Sequence, residues 1–262
     1  LLKGKGAVVL YDEDFPSVTL PWINQGYEIQ FFKNRIPGEI SLDDIEVVRT
    51  EQSKILVISH VQYANGIRVD LDLLGEYCER HNLILVVDAA QSMGAFPFDV
   101  KKQNIDILTG TGYKWLCAGY GIAMLYIDPK LLKNHIPFVG WKSFKNPNAL
   151  HNKNTDFTQC AQSLETGHAP FCGILALEES LKLTIKLGIH NIQNQILYLT
   201  NYLHEQASKS GFKILSPKEK INQSGISSIA VDQPDKITKQ LSEQNIIISA
   251  RGAGIRVSPH IY

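Results

Sequence analysis

The amino-acid sequence predicts an α/β fold, with a mainly parallel central sheet flanked by helices and a small α+β domain after it. Three observations support this prediction. Apolar runs of strand length, such as residues 54–58 and 83–87, lack the polar alternation of a half-exposed strand, which is typical of strands buried on both faces. Between these two runs, apolar residues recur at helical spacing. After residue 210, short strand-like runs alternate with one helix-like segment.

The first half of the chain alternates strands with helices. Ser41 is typical of a helix N-cap, and Asp70 is expected to cap an amphipathic helix. The inward face of that helix is predicted to carry Leu73, Leu74, Tyr77 and Cys78. Strands are predicted at residues 7–10, 27–32, 54–58, 83–87, 105–108 and 121–127. The prolines at positions 129, 137 and 147 predict a loop-rich segment over residues 128–154.

The second half is predicted to begin with two helices and to end in short strands. Apolar residues at helical spacing predict one helix from Gly173 and another over residues 189–208. A third helix is expected over residues 234–244. Strands are predicted at residues 212–215, 227–231 and 246–248.

Composition is that of an enzyme-sized domain with no strong charge bias. The 262 residues can bury a large core, in one large or two smaller domains. Basic and acidic residues number 26 each, so neither nucleic acid nor an anionic membrane is an expected partner. The four cysteines form no CxxC pair and no metal-ligand pattern; we therefore expect no metal, and reduced thiols in a cytoplasm are the simplest interpretation.

Two residues near predicted strand ends call for a chemical interpretation. Asp88 follows the strand at 83–87, and Lys114 lies in the small-residue loop after the strand at 105–108. Alone, each has a common structural explanation, since an Asp there often caps a turn and a Lys in a glycine loop is usually solvated. Together they match pyridoxal phosphate (PLP) chemistry, which needs a lysine amine for a Schiff base and a carboxylate at the pyridine nitrogen.

Residues 87–95, 105–106, 112–116 and 119–122 carry a specific resemblance. The Val-Asp-Ala-Ala-Gln run, the Gly-Tyr-Lys-Trp-Leu run and the following Gly-Tyr-Gly are similar to the class V aminotransferase family of fold-type I PLP enzymes. That family includes cysteine desulfurases, kynureninases and isopenicillin N epimerase-like proteins. The resemblance implies a fold-type I architecture, PLP bound to Lys114, and Asp88 at the ring nitrogen.

The resemblance also assigns roles to other residues. It implies that Phe15 stacks on the cofactor ring, although a core phenylalanine is an equal alternative. Gln91 corresponds to the residue beside the phenolic oxygen, and Tyr63 either donates to that oxygen or simply packs. Thr111 and Tyr113 occupy phosphate-contacting positions. His168 replaces a threonine that reaches the phosphate of the neighbouring subunit, which implies a homodimer.

Arg251 and Arg256 lie in a segment that resembles the family's C-terminal arginine motif, so both are candidates for the substrate carboxylate. The position of Arg251 relative to Pro259 matches desulfurases, and that of Arg256 matches kynureninase-like members. We expect Arg251 to be the main contact and Arg256 the second.

The resemblance covers the middle and later parts of a family member, so the chain is expected to be truncated at both ends. It divides into a large PLP-binding domain at 1–172, without its N-terminal part and first phosphate loop, and connecting helices with a small domain at 173–262, without its last helix.

The predicted function is a PLP-dependent enzyme acting on an amino acid, with an aminotransferase favoured. A PLP-dependent lyase or epimerase remains an alternative. A cysteine desulfurase is disfavoured because no cysteine lies in a comparable motif. A catalytically silent α/β module is the alternative from another class; a nucleotide site is not supported, since the chain has neither a dinucleotide-binding nor a P-loop glycine motif.

Overall fold

A computed structural model of the chain describes residues 2, 4, 6–132, 138–153 and 155–262. Within these residues the central sheet contains β1 (Ala7–Tyr11), β2 (Ile29–Phe32), β3 (Ser53–Ser59), β4 (Ile84–Asp88), β5 (Ile107–Thr111) and β6 (Ala123–Ile127). The strands lie side by side in the order β2-β1-β3-β4-β5-β6. The first five are parallel, and β6 pairs with β5 in the antiparallel direction. The predicted mainly parallel sheet is confirmed.

Alternate residues of the central strands pack into two apolar cores, one on each face of the sheet. Val9, Leu56 and Val87 belong to one core. Their neighbours Val8, Ile55 and Val86 belong to the other. Because both faces are covered, apolar residues are needed at every position, and each fully buried side chain of this kind stabilises the fold by roughly 1.5–3 kcal/mol. This explains the unbroken apolar runs.

Helices α1 (Pro16–Asn24), α2 (Leu42–Glu46) and α3 (Leu71–Arg80) connect the first four strands. The Ser41 side chain accepts a hydrogen bond from the backbone of Asp44, whose carboxylate accepts one from the backbone of Ser41, and together they form a capping box. At the start of α3, the Asp70 side chain accepts from two backbone N–H groups of the first turn. Both predicted caps are confirmed.

The expectation that Leu73 faces inward is wrong. Its side chain is 52% exposed, whereas Leu74, Tyr77 and Cys78 are buried as predicted. Together with Leu71, those residues form a stripe at a spacing of three to four residues. Leu73 precedes Leu74 by one position, about 100° around the helix, and therefore lies outside the stripe.

The segment after β6 contains more regular structure than predicted. A short helix, α4 (Pro129–Leu132), follows the strand directly, and Pro147–Ala149 form one 3-10 turn. Residues 133–137 and 154 lie outside the described residues, and with them the predicted loop at Pro137. In the part of the chain that the structure describes, no helix is both long and apolar enough to cross a membrane.

The remaining chain forms two long helices and a second, smaller sheet. The helices are α5 (Phe171–Leu187) and α6 (Ile189–Lys209), followed by β7 (Ser227–Ala230), α7 (Pro234–Ser242), β8 (Ser249–Arg251) and β9 (Gly254–Val257). The three strands are antiparallel, in the order β7-β9-β8. The division of the chain into domains at residue 172 stays a prediction.

Two of the strands predicted near the C-terminus are wrong. Residues 212–215 form no strand, and only Ile214 makes an isolated bridge to Ile229. Residues 246–248 also lie outside any strand, since β8 begins at Ser249. The Ile246 N–H is taken by the carbonyl of Leu241 in the turn that ends α7, and Asn245 has a left-handed φ of 62°. That turn delays the start of the strand despite the high β-propensity of three isoleucines.

The turn at Gly66, which follows β3 of the larger sheet, makes hydrogen bonds to the segment that precedes β7 of the smaller sheet. The Gly66 carbonyl accepts a hydrogen bond from the Ser224 hydroxyl at 2.7 Å, and Arg68 Nε donates to the Gln223 carbonyl at 2.9 Å. Gly66 has φ +76°, and a Cβ there would meet the Ile226 carbonyl oxygen at 2.1 Å. Glycine is therefore required by this contact, which holds the segment just before β7 against the turn that follows β3.

Candidate active site

The carboxyl ends of the parallel strands gather the candidate residues at one edge of the sheet. Asp88 is the last residue of β4 and lies opposite Ser59 of β3 and Thr109 of β5. Lys114 follows the end of β5 by three residues. In open α/β sheets this edge forms the ligand crevice, so the topology brings an acid and a lysine to the place where chemistry is expected.

The Asp88 carboxyl is largely buried and makes one local hydrogen bond. Its Oδ1 accepts from the Ala90 N–H at 2.7 Å, so the turn-capping role of this residue is real. Burial raises the pKa of the carboxyl, and the negative charge of Asp14 also raises it, while the Ala90 N–H and the Lys114 ammonium act in the opposite direction. A carboxylate that is made more basic holds a proton, or a protonated partner, more tightly.

Lys114 is half-buried between aromatic rings. Its Nζ lies 5.9 Å from the ring centroid of Phe15 and 5.7 Å from that of Tyr113. Burial lowers the pKa of the amine, the positive charge of Arg256 lowers it too, and Asp88 opposes both. A lowered pKa increases the fraction of neutral amine near pH 7, which is the form that acts as a nucleophile.

Aromatic side chains line the space beside this amine. Phe15 and Tyr63 meet edge to face with their centroids 5.2 Å apart, and Tyr113 stacks on Tyr120 at 4.9 Å. The Phe15 side chain is 41% exposed, which is too open for the core phenylalanine that was the alternative interpretation. Its ring is therefore available to a flat ligand.

Two buried donors near Lys114 have no hydrogen-bond partner in the described residues. One is the Thr111 hydroxyl at the end of β5, and the other is the Nε of Arg256. The Arg256 Nη1 donates to the Tyr63 carbonyl at 2.8 Å, which fixes the guanidinium beside that turn. Since a buried unpaired polar group costs about 1–3 kcal/mol, such donors suit a ligand with acceptor oxygens.

Three other predicted site residues have the following positions and contacts. Arg251 is exposed and donates to the Ala250 carbonyl at 2.7 Å. The His168 ring packs edge to face on Trp141, with centroids 5.4 Å apart. Gln91 is half-buried in the turn after β4. Their assigned roles stay predictions.

Asp14, which was not selected from the sequence, lies beside the candidate site residues. It is 6% exposed and its carboxylate accepts hydrogen bonds from Phe15, Ser59 and Gln62. The residue lies in an acidic run with Asp12 and Glu13, and local sequence cannot show which of three acids points inward. Its position directly before the site aromatic is the one available signal.

These residues fit a flat, phosphate-bearing aldehyde cofactor. The amine beside the aromatic rings can bind an aldehyde, the buried carboxyl can hold a ring nitrogen protonated, and the unpartnered Thr111 hydroxyl can donate to a phosphate. The fit rests on two partly buried groups with shifted pKa values, Lys114 and Asp88, and on the Thr111 hydroxyl, which has no hydrogen-bond partner among the described residues.

Comparison with known proteins identifies the relatives of this chain. The family model described as "Aminotransferase class-V" matches residues 1–260. The chain is 26% identical to an uncharacterized aminotransferase, YcbU, of Bacillus subtilis, over 99% of this chain and 69% of that protein. It is 27% identical to the kynureninase of Geobacillus thermodenitrificans, over 98% of this chain and 64% of that enzyme.

Solved structures show the same fold. The apo cysteine desulfurase of Thermococcus onnurineus superposes with a TM-score of 0.89 at 22% identity, covering 98% of this chain and 68% of that one. A C-DES variant with glycine covalently linked to its PLP cofactor superposes with a TM-score of 0.86 at 22% identity, covering 98% and 70%. The chain thus spans from 64% to 70% of the length of these four proteins.

Proposed function

Because the chain belongs to the aminotransferase class-V family, we propose that it is a PLP-dependent enzyme acting on an amino acid, most simply an aminotransferase. One observation carries the proposal: the half-buried Lys114 amine, whose pKa is lowered, and the partly buried Asp88 carboxyl, whose pKa is raised, both lie at or just after the ends of neighbouring parallel strands and act on each other. A pair of groups whose ordinary charges are both disfavoured by burial is typical of a functional site.

When bound, PLP supplies an electron sink for the bonds of the substrate α-carbon. Lys114 would hold its aldehyde carbon through Nζ. Asp88 would hold a proton at the ring nitrogen, Phe15 would face the ring, and Thr111 and Tyr113 would donate to the phosphate. Gln91 and Tyr63 are proposed for the phenolic oxygen, and His168 for the phosphate of a second subunit.

Lys114 is also suited to moving a proton. An amine with a lowered pKa gives up its proton more readily than an ordinary lysine with a pKa of ~10.4, so it is better suited to accept and return a proton during a reaction. The rings of Phe15 and Tyr113 lie within 6 Å of the amine, at 5.9 and 5.7 Å from their centroids to Nζ. The same residue would thus serve both attachment and proton transfer.

For the substrate carboxylate, the geometry supports Arg256 over Arg251. The charge of Arg256 acts on Lys114, and its Nε is buried without a partner. Arg251 is exposed, although its charge still acts on Arg256. We therefore propose Arg256 as the main contact and Arg251 as an outer one, the reverse of the order that the sequence favoured.

Other PLP-dependent reactions that begin with the same steps remain alternatives, among them lyase and epimerase reactions. A desulfurase-like reaction is the less favoured one, because it needs a thiolate near the substrate. The cysteine nearest to Lys114 in the sequence is Cys117, and burial raises the pKa of its thiol.

All four cysteines are free, which supports a reducing, cytoplasmic setting.

Titration with PLP tests the proposal. Wild-type protein should develop a visible absorbance that Lys114→Ala abolishes. The control is Lys101→Ala, since Lys101 Nζ also lies over an aromatic ring, 5.6 Å from the centroid of Tyr126, but pairs with Asp128 at the opposite end of the sheet. An amino-acid screen of the loaded protein, followed by product analysis, then identifies the reaction. Equal absorbance in wild type and Lys114→Ala would favour the catalytically silent α/β module.

A further inference from the structure

The Asp14 carboxylate is buried and fully occupied by hydrogen bonds. Its Oδ1 accepts from the Phe15 N–H at 2.7 Å and from the Ser59 hydroxyl at 2.6 Å. Its Oδ2 accepts from the Ser59 N–H at 2.8 Å and from Gln62 Nε2 at 3.1 Å. A carboxylate has about four acceptor positions, so these donors use its whole capacity.

The three residues that supply these donors, Phe15, Ser59 and Gln62, belong to different parts of the site. Phe15 carries the ring that lies 5.9 Å from Lys114 Nζ. Ser59 lies directly opposite Asp88 in the pairing of β3 with β4. Gln62 precedes Tyr63, whose carbonyl accepts from Arg256. One buried carboxylate therefore connects the exits of β1 and β3 and the turn that holds the arginine.

The charge of Asp14 also reaches Asp88. Among the described residues, two charged groups act on the pKa of the Asp88 carboxyl: Asp14, from the exit of β1, raises it, and Lys114, from the loop after β5, lowers it. Arg256, from β9, acts on Lys114. Asp14 thus acts on Asp88 in the same direction as burial, which makes Asp88 a stronger base.

We infer that Asp14 is a positioning residue for the candidate active site: its hydrogen bonds fix Phe15, Ser59 and the Gln62 turn relative to Asp88 and Lys114. As far as it concerns PLP, this inference rests on the proposed function. It adds a residue that touches none of the reacting groups and acts through the residues that do.

The decisive variant is Asp14→Asn, compared with Asp44→Asn. Asp44 is a matched control because it is also buried and its carboxylate accepts hydrogen bonds from Ser41 and Arg35, but it caps α2 away from the site. In both variants an amide replaces one acceptor oxygen by a donor that faces other donors. Both should lower the midpoint of urea unfolding.

Two further measurements separate positioning from a structural role. The first is the pKa of the Asp88 carboxyl, measured by carbon-13 NMR in protein without cofactor and assigned with Asp88→Asn. Asp14→Asn should move it towards the ordinary value, while Asp44→Asn should leave it unchanged. The second is the affinity for PLP, which should fall roughly ten-fold in Asp14→Asn and less than two-fold in Asp44→Asn.

An Asp88 pKa that does not move in Asp14→Asn, or equal PLP affinities in the two variants, would overturn the inference. If wild-type protein binds no PLP, the proposed function fails while the NMR titration still decides the role of Asp14. Should Asp14→Asn not fold, Ser59→Ala replaces it, because it removes only the hydroxyl donor, with Ser41→Ala as its match. PLP affinity should then fall about three-fold in Ser59→Ala alone; equal affinities would again contradict the inference.

Discussion

The capping role of Asp88 and its proposed role at the ring nitrogen can be separated by substitution. The Asn of Asp88→Asn can still accept from the Ala90 N–H, so the turn after β4 should persist. It cannot hold a proton at the ring nitrogen, and we expect turnover to fall about 100-fold or more while PLP binding remains detectable. Rate measurements on PLP-loaded protein test this. Normal specific activity with poor folding would instead favour a purely capping role.

The raised pKa of Asp88 also predicts how stability depends on pH. Because the folded protein holds this proton more tightly than the unfolded chain, the contribution of Asp88 to stability is present below its unfolded pKa of ~3.9. It is lost as the pH rises through the higher folded value. The stability of wild type relative to Asp88→Asn should therefore fall as the pH rises above about 4. The measurement is the free energy of unfolding in urea for both proteins as a function of pH. A stability difference between them that stays constant or grows with pH would mean that burial does not raise the pKa of this carboxyl.

The contact between the Gly66 turn and the segment before β7 can be tested by substitution. Gly66→Ala places a Cβ against the Ile226 carbonyl, whereas Gly26→Ala, at a similar φ of +74°, meets nothing within 4 Å. Both variants pay ~1 kcal/mol for the left-handed backbone. Gly66→Ala should cost ~1–3 kcal/mol more, because neighbouring backbone must shift. Because that shift moves the turn holding Arg256, the KM for an amino acid should rise in Gly66→Ala alone; equal unfolding midpoints for the two variants would contradict this.

Local sequence predicted the strands of the central sheet well and those of the small sheet poorly, for a physical reason. Strands buried on both faces need apolar residues at every position, so β3 and β4 are visible as unbroken runs. Residues 246–248 are also all apolar, yet they form no strand because the turn that ends α7 takes the backbone N–H of Ile246. That outcome depends on a hydrogen bond from Ile246 to Leu241, which composition does not reveal.

The candidate site was predictable where it depends on strand order and not where it depends on side-chain direction. Asp88 and Lys114 follow from their places after apolar runs. The relation of Arg256 to the Tyr63 carbonyl joins residues 193 positions apart and could not be derived from local pattern. The inward direction of Asp14, next to two other acids, was equally hidden.

For the molecule as a whole, the proposed homodimer makes a complementation test possible. We expect a mass in solution twice the 29.3 kDa of one chain. If His168 serves the site of the second subunit, a hybrid of Lys114→Ala with His168→Ala contains one site in which both residues are native. Random mixing of the two variants makes hybrids of about half of the dimers, and one site in two of each hybrid is native, so about a quarter of the wild-type activity per site should be restored. No recovery on mixing would place His168 at the site of its own subunit or outside any site.

The most direct test of the central claim is to identify the lysine that binds PLP. Wild-type protein incubated with PLP, reduced with borohydride and digested should yield one main modified peptide, and mass spectrometry should place the label on Lys114. Lys114→Ala should lose that label while Lys101→Ala keeps it. A label on another lysine, or no label in wild-type protein, would contradict the assignment of this strand-end crevice as a PLP site.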